Sequence, residues 1–161
     1  DYSILYQDFE SNMYKGLTQS VEKVQKYTQI NLVLSSKSFQ YTPDGIIQGF
    51  TKFCTENSLE FDIIPDLDDD YELQVNQAYI VFREYDLIKM INWTTKNKLK
   101  PGKDIGIISY DDTPLKEIIA EGISVISNDF SKMGERAAQM IINREKGRES
   151  NDFYFLDRGS L

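Results

Sequence analysis

Apolar residues recur along the chain in two alternating rhythms. Short runs of β-branched and aromatic residues predict strands at 2–6 (YSILY), 30–35 (INLVLS), 61–64 (FDII), 78–82 (AYIVF), 104–109 (DIGIIS), 123–127 (ISVIS) and 153–157 (FYFLD). Segments of helical period separate them. Asp8, a good N-cap, precedes a helix carrying Phe9, Met13, Leu17, Val21 and Val24 at spacings of three or four. Thr42 and Pro43 open a second helix that buries Ile46, Ile47, Phe50, Phe53 and Cys54. Proline is tolerated in a first turn because its missing N–H has no intrahelical partner there. Gly49, in the middle of that helix, predicts close approach of another backbone rather than a break. A helix over 84–99 directs Leu87, Ile88, Ile91 and Thr95 inward and stops at Pro101-Gly102. A short helix from Thr113-Pro114 to Gly122 and a longer one over 131–145 complete the set. The result is an α/β protein with a mostly parallel sheet and helices on both faces. The nearly all-apolar run 104–109 fits a strand covered on both sides.

Composition narrows the function. The 161 residues include 18 basic and 26 acidic ones, a net charge of −8. That balance offers no basic surface to replace phosphate counterions, so nucleic-acid binding by these residues is excluded. With no apolar run of 18 residues, no membrane span is predicted. Histidine is absent, which removes Ser-His-Asp and Cys-His nucleophile systems and HExxH zinc sites. The single cysteine, Cys54, lies among Phe50, Phe53 and Leu59 and reads as a buried thiol, consistent with a reducing, cytoplasmic setting.

In open α/β sheets, ligands bind beyond the carboxyl ends of the strands. The residues there are Asp8, Ser35 to Phe39, Arg83 and Glu84, Tyr110 to Thr113, and Asn128 to Phe130. No GxGxxG, Walker A or GxSxG motif occurs. Tyr85 and Lys89 match a YxxxK spacing without the glycine-rich turn that would give it meaning. The run Asp66-x-Asp68-x-Asp70 imitates an EF-hand start, but Tyr71 stands where glycine is needed and Gln77 where a bidentate Glu is needed. It reads as a solvated loop. Asp111-Asp112-Thr113 is the strongest constellation: two carboxylates could hold Mg²⁺ or accept from ligand hydroxyls, or one could cap the next turn. Arg83 offers a planar fork of donors to a ligand, or a surface ion pair to Glu84 or Asp86. Phe39, Tyr110 and Phe130 provide either a stacking wall or packing.

The run KDIGIISYDDTPLKEIIAEGISVISNDF, followed by MGERAAQMI and DRGSL, resembles the closing part of the lactose-repressor/periplasmic-binding-protein-like effector domain. QGFTKF resembles that family's R-x-x-GF helix, and REYDLIKM its ND-x-x-A-x-G helix, so the likeness spans nearly the whole chain. The wording is similar to the sugar-sensing domains joined to GntR-type winged helices in Bacteroidetes. The resemblance implies a non-catalytic effector-sensing domain without cofactor or metal, a cytoplasmic location and a homodimer. DNA would be bound only through a winged helix outside these residues. It also implies that 1–127 form the carboxyl-terminal lobe. Residues 128–161 would cross back to an amino-terminal lobe, leaving helix 131–145 and strand 153–157 without neighbours. Asp111 would accept from the hydroxyls of a small effector, a sugar or derivative. Arg83 stands where the family often has Asn, and Asn128 to Phe130 lie at the lobe crossover. The family's ligand-clamping Arg is replaced by Ile46. A periplasmic or lipoprotein solute receptor, and a Mg²⁺ enzyme using Asp111 and Asp112, are the alternatives.

Overall fold

The computed structural model describes residues 2–35, 41–68 and 70–161. The chain runs β1 (Ser3–Tyr6), α1 (Phe9–Gln19), α2 (Val21–Val24), β2 (Gln29–Val33), α3 (Asp44–Glu56), β3 (Phe61–Ile64), β4 (Gln77–Val81) and α4 (Glu84–Lys96). It continues through β5 (Gly106–Tyr110), α5 (Pro114–Ile118), a 3₁₀ turn (Ile119–Glu121), β6 (Ser124–Asn128), α6 (Phe130–Ile142), β7 (Gly147–Ser150) and β8 (Phe153–Leu156). Six strands form one sheet in the order β3-β2-β4-β5-β6-β8, parallel except for β8.

Alternation along the central strands feeds two cores. Ile30, Leu32, Ala78, Ile80, Ile108 and Ile126 point to the face covered by α1 and α3, against Met13, Leu17, Phe50 and Phe53. Tyr79, Val81 and Ile107 point the other way, onto Leu87 and Met90 of α4 and onto Leu67 and Leu73. Every residue of β5 is buried, as a strand covered on both faces requires. Gly49 sits where α3 crosses α1, and an added Cβ there would lie 2.3 Å from the Glu10 carbonyl oxygen.

Four sequence expectations need correction. The helix beginning at Phe9 is broken at Ser20, whose hydroxyl donates to the Leu17 carbonyl and competes with the helical ladder. The buried stripe of α4 is Asp86, Leu87, Met90 and Thr94, with Ile88 and Thr95 turned outward. Strand 153–157 does not lack neighbours: β8 runs antiparallel to β6, pairing Ile126 with Phe155. Finally, β1 stands outside the large sheet and pairs in parallel with β7, a strand of exposed residues (GRES) with no apolar alternation to announce it. Helix α6 touches β1, but of its residues only Met140 is buried, and Ile141 and Ile142 remain exposed.

Candidate functional site

The sheet order places β3 and β4 on opposite sides of β2. Successive connections therefore leave in opposite directions at the β2–β4 boundary, which opens a crevice at the strands' carboxyl ends. A cleft of about 420 Å³ occupies that crevice. Val33, Leu34 and Ser35 at the end of β2 and just after it, Phe82 and Arg83 after β4, and Tyr110 and Asp111 at the end of β5 line it. Gln7 and Phe9 close one side, and Tyr41, Thr42, Pro43 and Ile46 at the start of α3 close another.

Asp111 is the focus of the polar floor. Its backbone is left-handed, with φ 57°, a conformation that costs a non-glycine residue roughly 1–3 kcal/mol and that clusters at functional sites. Lys116 of α5, itself buried, donates through Nζ to the carbonyls of Tyr110, at 2.9 Å, and of Asp111. The turn that aims the carboxylate is thereby tied down. Burial pushes the Asp111 carboxyl above its ordinary range, against the opposing pull of the nearby Lys116 charge. Asp111 Oδ1, Tyr110 Oη and Asn128 Nδ2 are buried together, with the Asn128 side chain against both the Asp111 carboxyl and the Tyr110 hydroxyl. The Asn128 amide is oriented by Asn12 of α1, which donates to its Oδ1 at 3.1 Å.

Arg83 forms a braced fork. Its Nε and Nη2 donate to the two carboxylate oxygens of the fully buried Asp86, both at 2.7 Å. Nη2 also reaches Asp66 at 3.3 Å, and Ser35 donates to that same Asp66 oxygen at 2.6 Å. Of the ion pairs expected for Arg83, the one to Asp86 is made, with a buried rather than a surface partner, and the side chain also lines the cleft. The first residue of the acidic run is correspondingly an inward brace, and Leu67 beside it is core, which corrects the solvated-loop reading at those two positions. Phe82 and Tyr110 stack at 5.0 Å with their planes 28° apart, forming one aromatic wall.

The remaining candidates divide. Asp8 does not line the cleft; its carboxylate caps α1 by accepting from Ser11 N at 3.1 Å. Phe130, half-exposed, and Asn128, buried, do not line the cleft; both border a separate depression of about 260 Å³. Phe39 lies outside the described residues. Asp112 is held by Arg158 in a two-point pair, 2.8 Å on each oxygen, and so does not act jointly with Asp111. Among the described residues no group of three or more acidic, cysteine or histidine side chains is arranged to hold a metal. The terminal DRGSL is a clamp: beyond Arg158, Ser160 donates to the Ile107 carbonyl at 2.7 Å. Sequence reasoning missed Tyr41, Thr42 and Pro43 as cleft wall, although they close the loop that follows β2.

The sequence profile of the Periplasmic binding protein-like domain matches residues 23–152. The chain belongs to that family. No curated protein sequence matches the chain significantly. Among solved structures, a transcription-regulator-like protein from Staphylococcus haemolyticus superposes with TM-score 0.75 at 16% identity, covering 100% of this chain and 63% of that one. A transcription regulator from Lactobacillus plantarum gives 0.73 at 19% identity, covering 97% and 67%. The lactose repressor bound to the anti-inducer ONPF gives 0.74 at 17% identity, covering 97% and 63%. These likenesses establish the fold: a periplasmic-binding-protein-like α/β domain as found in lactose-repressor-type proteins. The chain spans a little under two thirds of the length of most of the relatives it matches.

Proposed function

We propose that this chain is the effector-sensing part of a bacterial transcriptional regulator, without catalytic activity. It would hold a small polar ligand, a sugar or sugar derivative, in the cleft between β2, β4 and β5. One observation carries the reading: the cleft at the sheet's switch point brings Arg83 and Asp111, the latter with a left-handed backbone, beside the stacked wall of Phe82 and Tyr110. An effector hydroxyl would donate to the Asp111 carboxylate from the cleft. Arg83, also in the lining, would set the ligand's orientation, while Asn128 acts behind Asp111.

The wider assignment rests on kinship. Lactose-repressor-type neighbours are transcription regulators, one solved with an anti-inducer bound and one described as dimeric. By extension, the regulator would be a cytoplasmic homodimer that binds DNA through a separate module. A GntR-type winged helix is supported by motif wording alone, and no helix among the described residues is long and apolar enough to cross a membrane. In this reading the large sheet is the carboxyl-terminal lobe, and β1, α6 and β7 belong to its companion. That moves 1–7 and 151–161 across the division expected from sequence, as the pairing of β1 with β7 and of β8 with β6 favours.

The test is titration calorimetry of the full-length regulator with a sugar identified as a ligand from a mono- and disaccharide panel. Asp111→Ala is expected to weaken binding about ten- to a hundredfold, the equivalent of roughly 1.5–3 kcal/mol for one charge-assisted hydrogen bond. Unchanged affinity would remove Asp111 from the site.

A further inference from the structure

Lys116 is a lysine that water hardly reaches, with 2% of its surface exposed. Helix α5 opens at Thr113 and Pro114, and side chains of a first turn lean back toward the helix start. The Lys116 side chain is thereby delivered to the end of β5, where Nζ donates to the carbonyls of Tyr110 and Asp111. These bonds use two of its three donors. An ammonium taken out of water also needs an opposite charge nearby. The charged groups that face it are Asp111 and Asp112 after β5, Glu84 of α4, and Arg158 in the segment after β8. Asp112 and Arg158 answer each other through their two-point pair. Glu84 is exposed, and water screens it. Asp111, partly buried and lining the cleft, is left as the compensating charge.

We infer that Lys116 is a positioning residue of the cleft: its buried ammonium fixes the turn that carries Asp111 and supplies the counter-charge for the Asp111 carboxylate. The inference rests on the reading of Asp111 as the effector's acceptor, since only the ionised carboxylate accepts through both oxygens. Both roles belong to one atom. Bonds to the carbonyls on either side of the Tyr110–Asp111 step hold Nζ within a residue's length of the carboxylate, where an opposite charge favours the ionised form. Burial works against ionisation at Asp111, and the Lys116 charge opposes it ahead of the hydrogen bonds from Asn128. The other groups packed there bring no charge: Asn128 is neutral, and burial keeps the Tyr110 phenol protonated. Arg83, elsewhere in the lining, is bound to Asp86 and Asp66. A brace alone would need only donors of the right reach; the counter-charge needs an ammonium or its equivalent.

The experiment titrates the full-length regulator, with the proton as the probe. The side-chain carboxyl carbon of Asp111, assigned by its loss in Asp111→Asn, is followed by NMR in the parent, Lys116→Arg and Lys116→Met. Its midpoint is expected to rise by about one pH unit or more in Lys116→Met and to stay near the parent's in Lys116→Arg, which keeps the charge. A midpoint that Lys116→Met leaves unchanged overturns the inference. The parent carries a second test that stands even if Lys116→Met does not fold. The Lys116 side-chain signal is expected to step at the pH where Asp111 titrates, and a signal without that step overturns the inference. Calorimetry with a sugar from the mono- and disaccharide panel separates this from the sensing role. Lys116→Met is expected to bind it more weakly than the parent. The deficit should widen by up to about tenfold for each pH unit between the two midpoints as pH falls through them. A deficit that does not change with pH reduces Lys116 to a brace and leaves the sensing role standing. A parent that binds no member of the panel overturns the sensing of sugars, while the proton titration still decides the counter-charge.

Discussion

Replacing Gly49 by alanine tests whether the cleft-bearing layer is fixed by one helix crossing. Alanine at a helical position gains roughly 0.8–1 kcal/mol over glycine in intrinsic propensity, so an unconstrained site would be stabilised. Here the new Cβ would sit 2.3 Å from the Glu10 carbonyl oxygen and 3.1 Å from the Met13 Cβ. Comfortable carbon contacts need about 3.5 Å, so α1 and α3 would have to part by roughly 1 Å. The obstacle is backbone and cannot rotate away. Parting the helices loosens Met13, Leu17, Phe50 and Phe53, all fully buried, and moves Ile46 in the cleft wall. Overpacking of this kind costs about 1–3 kcal/mol, and sometimes more when the obstacle is rigid. With the propensity gain subtracted from the upper end of that cost, which a rigid backbone obstacle calls for, a net loss of about 2 kcal/mol is expected, lowering Tm by roughly 4–8 °C for a chain this long. Gly134 in α6 supplies the control, because an added Cβ there meets nothing within 4 Å. Gly134→Ala should stabilise by about 0.5–1 kcal/mol. Urea unfolding of both variants decides the matter: a Gly49→Ala protein as stable as its parent would show that the crossing is not tight.

Two further outcomes follow from buried chemistry. Arg158 holds the Asp112 carboxyl below its ordinary pKa through their paired hydrogen bonds, so this contribution is full at neutral pH and is lost as pH falls below about 3.9 and through the lowered folded value. Arg158→Met is expected to cost about 2 kcal/mol at pH 7. Its deficit should shrink as acid protonates Asp112 in the parent; a deficit that stays constant in urea titrations at pH 7 and pH 3 would argue against the pair. Burial pushes the Cys54 thiol up to about 12, so a disulfide-exchange reagent should leave it unmodified until urea unfolds the chain. Rapid labelling of the native protein would contradict its placement in the core.

Legibility in the sequence followed the physical reach of each signal. Strand 61–64 was readable to the residue, because a β-branched run bounded by polar residues carries its own pattern. β7 was not, because Gly147–Ser150 contains no apolar position and exists as a strand only by pairing with β1, some 140 residues away. The rotation of α4 has a similar cause: Asp86 is buried to receive Arg83, and a buried carboxylate cannot be anticipated from periodicity. In the site, Arg83 and Asp111 were legible because each follows a strand whose carboxyl end defines the crevice. Asn12 and Lys116 were not. Both sit on helices, where polar residues read as surface, and their burial is decided by which strand end they meet. Asp8 followed a strand as well, but β1 leaves the large sheet, and its carboxylate went to the helix cap instead.

The pairing of Asp111 with Lys116 explains a local inconsistency that stability alone would have removed. At φ 57° glycine carries no penalty, and aspartate is tolerated only because its short polar side chain suits the left-handed region better than most. Glycine would, however, leave no carboxylate at the carboxyl end of β5, facing the crevice. Keeping aspartate commits the chain to a strained turn, and the strain persists only if the surroundings over-determine it. Lys116 does so from the first turns of α5: its Nζ binds the carbonyls on either side of the Tyr110–Asp111 step. Burial lowers the pKa of that ammonium group, an expense that makes little sense for a lysine serving only as surface charge. Bonded to carbonyls rather than to a carboxylate, the buried Lys116 fixes the turn and leaves the Asp111 side chain in the cleft lining, where the proposed effector would meet it.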